Sequence, residues 1–183
     1  MGLDKRYVTD VDLTSTTSTG DPEGEPLETH TPPSPADFEQ SLARLRGEVE
    51  LPIPAASAVK IGGERAYRLA RRGIEVQMPL RRSQVYALDV ISYTGRTATL
   101  SLHVGSGTYV RSIATALGGH CRTLRRTAVG PFRIDEATSA DQPELLPIRG
   151  VLDRLPADAV ARVPATVVAG VLALADDGPE AVA

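Results

Sequence analysis

The 183-residue sequence predicts an α+β fold, a mainly antiparallel sheet with flanking helices, on three observations. Residues 5–13 alternate, with Tyr7, Thr9, Val11 and Leu13 on one side and Arg6, Asp10 and Asp12 on the other. This is the period of a strand with one buried face. Residues 84–91 and 97–104 read as a hairpin joined through Tyr93, Thr94 and Gly95, and its second strand places Ala98, Leu100, Leu102 and Val104 on one face. Short segments at 34–47, 64–73 and 105–119 follow the helical period instead. With 42% hydrophobic residues the chain can bury one sizeable core, so one domain is the default.

The elements follow in order. Residues 14–33, rich in Ser, Thr, Gly, Pro and Glu, predict a loop or a weak hairpin arm. Ser34 then supplies an N-cap and Pro35 the first helical position, and Phe38, Leu42 and Leu45 make a stripe that ends near Gly47. The stretch LPIPAASAVK at 51–60 carries two prolines and small residues, which predicts an extended, irregular segment before a turn at Gly62 and Gly63. In ERAYRLARRG, Ala66, Leu69 and Ala70 share one helical face while Arg65, Arg68 and Arg72 share another. That second face is basic, with Glu64, four residues before Arg68, as its acidic neighbour.

Residues 105–134 concentrate the functional signals. Ser106, Gly107 and Thr108 are placed to cap a helix whose apolar positions are Val110, Ile113, Ala114 and Leu117, with Gly118 and Gly119 stopping it. An arginine-rich turn is expected to follow. Arg111 sits at the edge of the apolar stripe, and spacing alone admits two roles, a solvated surface arginine or a guanidinium reaching a carboxylate or phosphate in a cleft. Beyond residue 134 a polar stretch leads to a predicted helix containing Leu145, Leu146, Val151 and Leu152. The apolar run 163–175 predicts a packed terminal helix, too short to span a bilayer.

Charge is distributed unevenly. Residues 1–50 hold 4 basic and 11 acidic side chains, residues 51–134 hold 13 and 3, and residues 135–183 hold 3 and 9, within a net charge of −3. The basic middle, net +10, suits a polyanion, because each neutralised phosphate releases counterions. A folded chain whose acidic ends cover that middle would give the same composition. The single cysteine, Cys121, excludes an intrachain disulfide, and with His30, His103 and His120 it forms no metal-ligand spacing. A structural thiol is the simpler role for Cys121, with a Cys–His pair as the alternative. No apolar run reaches 18 residues and MGLDKRY has no apolar signal core, so a cytoplasmic location and no membrane are expected. There is no P-loop and no G-x-G-x-x-G, so no nucleotide cofactor is indicated.

Three ordered stretches resemble one family. They are K-R-Y with D-P-E-G-E downstream, then P-A-A-S-A-V-K-I-G-G-E-R-A-Y-R-L-A-R-R-G, then S-G-T-Y-V-R-S-I with L-R-R-T-A-V-G-P-F. Together, over roughly residues 4–137, the sequence resembles the TruB family of tRNA pseudouridine-55 synthases, related to the dyskerin-type enzymes. The resemblance implies a mixed sheet belonging to the pseudouridine synthase catalytic fold, no metal or organic cofactor, and a monomer. It also implies isomerisation of one uridine, position 55, in the T-stem loop of tRNA. By the same resemblance Tyr7 matches the tyrosine that stacks on the target uracil, Arg111 the arginine that pairs with the catalytic aspartate, and Leu124 the active-site leucine. Ser57, Lys60, Arg65, Arg68, Arg71 and Arg72 fall in the RNA-clamping segment, placed at 51–83, and Arg125 and Arg126 continue the RNA-binding set. On this reading residues 1–137 are a partial catalytic domain and 138–183 a C-terminal helical extension.

One family feature has no counterpart. The nucleophilic aspartate of the family lies in a G-x-L-D-P motif upstream of the K-x-Y strand, whereas four residues precede Lys5 here and the motif is absent. Asp21, in S-T-G-D-P, matches the acidic turn after that strand rather than the nucleophile. The spacing from Arg111 to Leu124 is also shorter than the family pattern. The expectation is a chain truncated or mis-started at its N-terminus and inactive alone, with a catalytically inert RNA-binding remnant as the alternative.

Overall fold

Alternation of the kind seen at 97–104 places every second residue on the same side of a sheet, and in the computed structural model of the chain Ala98, Leu100, Leu102 and Val104 are all buried to within 1%. The structure describes residues 2–74, 76–138 and 146–161. The elements are strands β1 (Lys5–Asp12), β2 (Ser15–Thr17) and β3 (Pro26–Thr29), helix α1 (Pro35–Arg44), and strands β4 (Gly47–Pro52), β5 (Lys60–Ile61) and β6 (Glu64–Arg65). Then follow helix α2 (Ala66–Arg71), strands β7 (Leu80–Tyr93) and β8 (Thr97–Val104), helix α3 (Val110–Ala116), strand β9 (His120–Val129) and strand β10 (Phe132–Arg133). A 3₁₀ turn (Ile134–Glu136) and helices α4 (Ile148–Arg154) and α5 (Ala157–Val160) complete the described chain.

Six strands form one sheet in the order β10-β9-β1-β8-β7-β4, and every described pairing is antiparallel. The predicted α+β class with a mainly antiparallel sheet therefore holds. One sheet face is apolar: Val11 and Leu13 from β1 and the loop after it, Val85 and Leu88 from β7, and the β8 row meet Phe38, Leu42 and Leu45 from α1 and Val110, Ile113 and Ala114 from α3. Each such aliphatic side chain contributes about 1.5–3 kcal/mol on burial. The opposite face is polar, as solvated antiparallel sheets are. There the Asp10 carboxylate accepts from Thr99 and Thr123, and these bonds hold its pKa below the ordinary value.

Helix α1 begins as its sequence predicts. The Ser34 hydroxyl accepts from Asp37 N–H, Pro35 follows, and Phe38 stacks on Tyr93 at 4.6 Å, so the helix is fixed to the end of the β7–β8 hairpin. The segment 14–33 contains the short β2–β3 hairpin, the arm anticipated there. Two elements differ from expectation. Residues 47–52 form an edge strand, β4, whose Val49 and Leu51 alternate with the charged Glu48 and Glu50. The arginine-rich turn expected after α3 is instead the ten-residue strand β9, antiparallel to β1. Its arginines hide the strand period because Arg122 through Arg126 are all exposed, leaving no apolar alternation to read.

The capping expected of Ser106, Gly107 and Thr108 is also corrected. Helix α3 starts after Tyr109 with no side-chain cap, and the Thr108 hydroxyl is buried without a partner among the described residues. Of the predicted C-terminal helix, Val151 and Leu152 lie in α4, Leu146 precedes it and is exposed, and Leu145 lies outside the described residues, as does the run 163–175. Among the described residues no helix is long and apolar enough to cross a membrane.

A candidate active site around Arg111 and a basic interface

The loop between β2 and β3 folds back against α3. Gly20 makes this approach possible: a Cβ there would lie 3.2 Å from the Arg111 Cβ, and the Gly20 carbonyl accepts from Cys121 N–H at 3.0 Å. The loop thereby delivers Asp21 to Arg111. Arg111 Nη1 donates to Asp21 Oδ2 at 2.8 Å and to the Thr19 carbonyl at 2.8 Å, while Nη2 donates to the Ala56 carbonyl at 2.9 Å. The surface-arginine alternative is thus excluded: the side chain is 20% exposed and joins three chain segments. Asp21, read from the sequence as part of the acidic turn after β1, is the carboxylate that Arg111 pairs with. Nothing in periodicity marks Asp21, but the S-T-G-D-P turn that holds it is legible as an Asx-type turn.

Asp21 is prepared to stay ionised. Burial works against its charge, but the Thr19 hydroxyl at 2.5 Å and the Arg111 guanidinium outweigh burial and lower its pKa. The Glu23 N–H adds a further bond at 3.2 Å. A guanidinium has five N–H donors and three are engaged here, so Arg111 retains donors for a second acidic group. Beside it, Ser112 donates to the Pro52 carbonyl at 2.6 Å. Two consecutive α3 residues therefore hold both ends of the 52–56 loop. A cavity of about 190 Å³ lined by Thr19, Arg111, Ser112 and Thr115 adjoins this arrangement.

Tyr7 and Leu124 lie further along the same sheet. In the β1–β9 ladder Tyr7 pairs with Arg126 and Thr9 with Leu124, so Tyr7 and Leu124 are diagonal neighbours on one face. Tyr7 is half-buried against the core edge and Leu124 is exposed beyond it. Leu124 is three residues past Cys121, about 10 Å along the strand from the Arg111 loop contact. Cys121 itself is buried at 2% exposure and burial raises its thiol pKa, which favours the structural role over a nucleophilic thiolate. His120 turns to the Ser15 carbonyl at 3.0 Å. Among the described residues no group of three His, Cys, Asp or Glu side chains could hold a metal ion.

The clamp segment is structured differently from its predicted basic face. Lys60 lies on β5, which pairs with β6 across the Gly62–Gly63 turn, and Arg65 precedes α2 and donates to the Ala58 carbonyl at 2.6 Å. Glu64 pairs with Arg72 at 2.7 Å rather than with Arg68. Arg65 is the N-cap of α2 and Arg72 its C-cap, and Arg65, Arg68, Arg71 and Arg72 are all exposed. The guanidinium carbons of Arg68 and Arg71 lie 5.9 and 5.6 Å from the Tyr67 ring centroid. Ser57 is not a surface contact: it is buried, and its hydroxyl has no partner among the described residues. Arg125 and Arg126 are exposed on β9.

A family model described as the TruB family pseudouridylate synthase N-terminal domain matches residues 1–110. The tRNA pseudouridine synthase B of Xanthomonas oryzae pv. oryzae is 37% identical over 170 residues, covering 88% of this chain and 53% of that protein. The tRNA pseudouridine synthase B of Mycobacterium sp. (strain KMS) is 39% identical over 159 residues, covering 78% and 53%. A crystal structure of a Cbf5-Nop10-Gar1 complex is similar at a TM-score of 0.50 and 27% identity, over 73% of this chain and 32% of that one. The chain belongs to the TruB family of pseudouridylate synthases. It spans about half the length of the curated relatives it matches.

Proposed function

We propose that this chain carries tRNA-binding and catalytic-site residues of a pseudouridine synthase acting on uridine 55 in the T-stem loop. The observation that supports this reading most is Arg111, held by Asp21 and tied through the Ala56 carbonyl to the basic clamp segment. Conversion of uridine to pseudouridine exchanges an N-glycosidic for a C-glycosidic bond with no net change in atoms, so it needs positioned groups rather than a redox or group-carrying cofactor. A base taken out of its stack costs a few kcal/mol, which an aromatic and apolar pocket offsets. Tyr7 and Leu124 supply those surfaces. Arg111 holds Asp21 ionised and keeps further donors for a second acidic group.

The nucleophile is not Asp21 on this reading. Asp21 is already engaged by Thr19, Glu23 and Arg111, and its role is to orient the guanidinium toward a second carboxylate. The 183-residue chain incubated with a tRNA transcript is therefore expected to form no pseudouridine, as read by a carbodiimide primer-extension assay. Conversion that disappears in Asp21→Ala would assign the nucleophile to Asp21 instead. RNA binding without chemistry is the second reading, supported by the exposed Arg68 and Arg71 beside Tyr67.

Binding is tested separately. Affinity for the tRNA stem-loop is expected to fall steeply with salt, in proportion to the phosphates neutralised. Arg68→Glu combined with Arg71→Glu should weaken binding by roughly tenfold or more and flatten the salt slope by about 2. Salt-independent affinity, or a double variant that binds like the parent, would exclude this interface.

A further inference from the structure

A second concave surface lies at the far end of β9. The turn Gly130–Pro131 joins β9 to β10, pairing Phe132 with Val129 and Arg133 with Ala128. It is held from two sides: Gly130 N–H donates to the Asp4 carbonyl at 2.9 Å and Arg154 donates to the Pro131 carbonyl at 2.9 Å. The Arg154 guanidinium also lies 4.8 Å from the Phe132 ring centroid and pairs with Glu136, so the aromatic is anchored by a cation that is itself neutralised. Phe132, Ala128, Val129 and Ile134, with Arg126 and Arg133, line an open cavity of about 180 Å³.

The two arginines are not equivalent. Arg133 pairs with Asp135 at 3.1 Å, whereas Arg126 makes no ion pair or hydrogen bond among the described residues. Arg126 also stands opposite Tyr7 in the β1–β9 register, so it belongs to both the cavity and the candidate uracil platform. An apolar floor and an aromatic wall suit the face of a nucleobase, and a free guanidinium suits the phosphate that links it to its neighbour.

We propose that this cavity is a subsite for one unstacked nucleobase adjacent in sequence to the base held at Tyr7, with Arg126 on the phosphate between them. The inference rests on the RNA-binding reading above and goes beyond it by adding Phe132 as a contact that sets which loop nucleotide is held.

The test is equilibrium binding of the 183-residue chain to a T-stem-loop RNA and to versions with a single abasic nucleotide on either side of the target uridine. One abasic position should cost about 5- to 100-fold in affinity. Phe132→Leu, which keeps the apolar volume but removes the ring, should bind intact and abasic RNA nearly alike. Arg126→Ala should weaken both RNAs and reduce the salt slope by about 1. Salt-sensitive binding with no abasic penalty, or a penalty that persists in Phe132→Leu, would overturn the subsite alone. Absent or salt-insensitive binding would overturn the RNA-binding reading and the subsite with it.

Discussion

Arg111→Ala is expected to lower the unfolding free energy by about 3 kcal/mol, the low end for breaking a largely buried ion pair. The substitution removes one cation and takes the Arg111 donor from Asp21 Oδ2 and from the Thr19 and Ala56 carbonyls, while Asp21 Oδ1 keeps Thr19 Oγ1 and Glu23 N–H. For a chain of this size the thermal midpoint should fall by roughly 6–12 °C. Two loops distant in sequence should loosen together, since the same guanidinium fixes 17–25 and 52–57. Hydrogen exchange resolved by peptide would show increased opening in both. Arg111→Lys should recover little, because an ammonium is a compact point charge without the planar fork that bridges three acceptors. A lysine variant as stable as the parent, or loosening confined to one loop, would mean that the pair does not join these segments.

How much of this was legible in the sequence varies with the element. Strand β8 and helix α1 were plain because their apolar periods are clean: Leu100 and Leu102 lie on the core side of a strand, and Phe38 and Leu42 on one face of a capped helix. Strand β9 was not, because its exposed middle carries Arg122, Arg125 and Arg126 and no apolar alternation survives. Period-based reading depends on a buried face, and β9 buries little beyond its ends. The clamp helix is legible as a short run, but its Glu64 partner is not: spacing suggests Arg68, and the fold brings Arg72.

At the site, Arg111 was identifiable from its motif, whereas its partner was not. Asp21 is 90 residues away in sequence and reaches the arginine through a loop closed by local bonds, Thr17 Oγ1 to the Asp21 carbonyl at 2.7 Å and Thr19 Oγ1 to its carboxylate. Long-range pairing of this kind is set by the packing of the β2–β3 hairpin against α3 and β9, which no local pattern encodes. Phe132 was invisible for the same reason: as part of V-G-P-F it reads as a turn residue, and its significance comes from Arg154, 22 positions later.

Gly119→Ala is expected to be among the most damaging single substitutions in the chain, and its neighbour Gly118→Ala a mild one, the reverse of what backbone angles alone would suggest. Gly118 has φ +82°, a left-handed conformation that costs an alanine about 1–2 kcal/mol. Its Cβ would meet only the His30 ring at 3.7 Å, an ordinary contact. Gly119 has no such angle, yet a Cβ there would fall 2.1 Å from the Asp12 carbonyl oxygen and 2.9 Å from Val11 Cγ1. The obstacle is backbone at the end of β1, where Asp12 pairs with His120, so relief requires β1 and β9 to separate at the point where α3 hands the chain to the sheet. The loss should exceed about 4 kcal/mol, a magnitude reserved for changes that break the core or the sheet. Denaturant unfolding of the two variants side by side decides the matter. Equal losses, or a larger loss for Gly118→Ala, would show that conformational strain and not the close approach of β1 fixes the glycine pair.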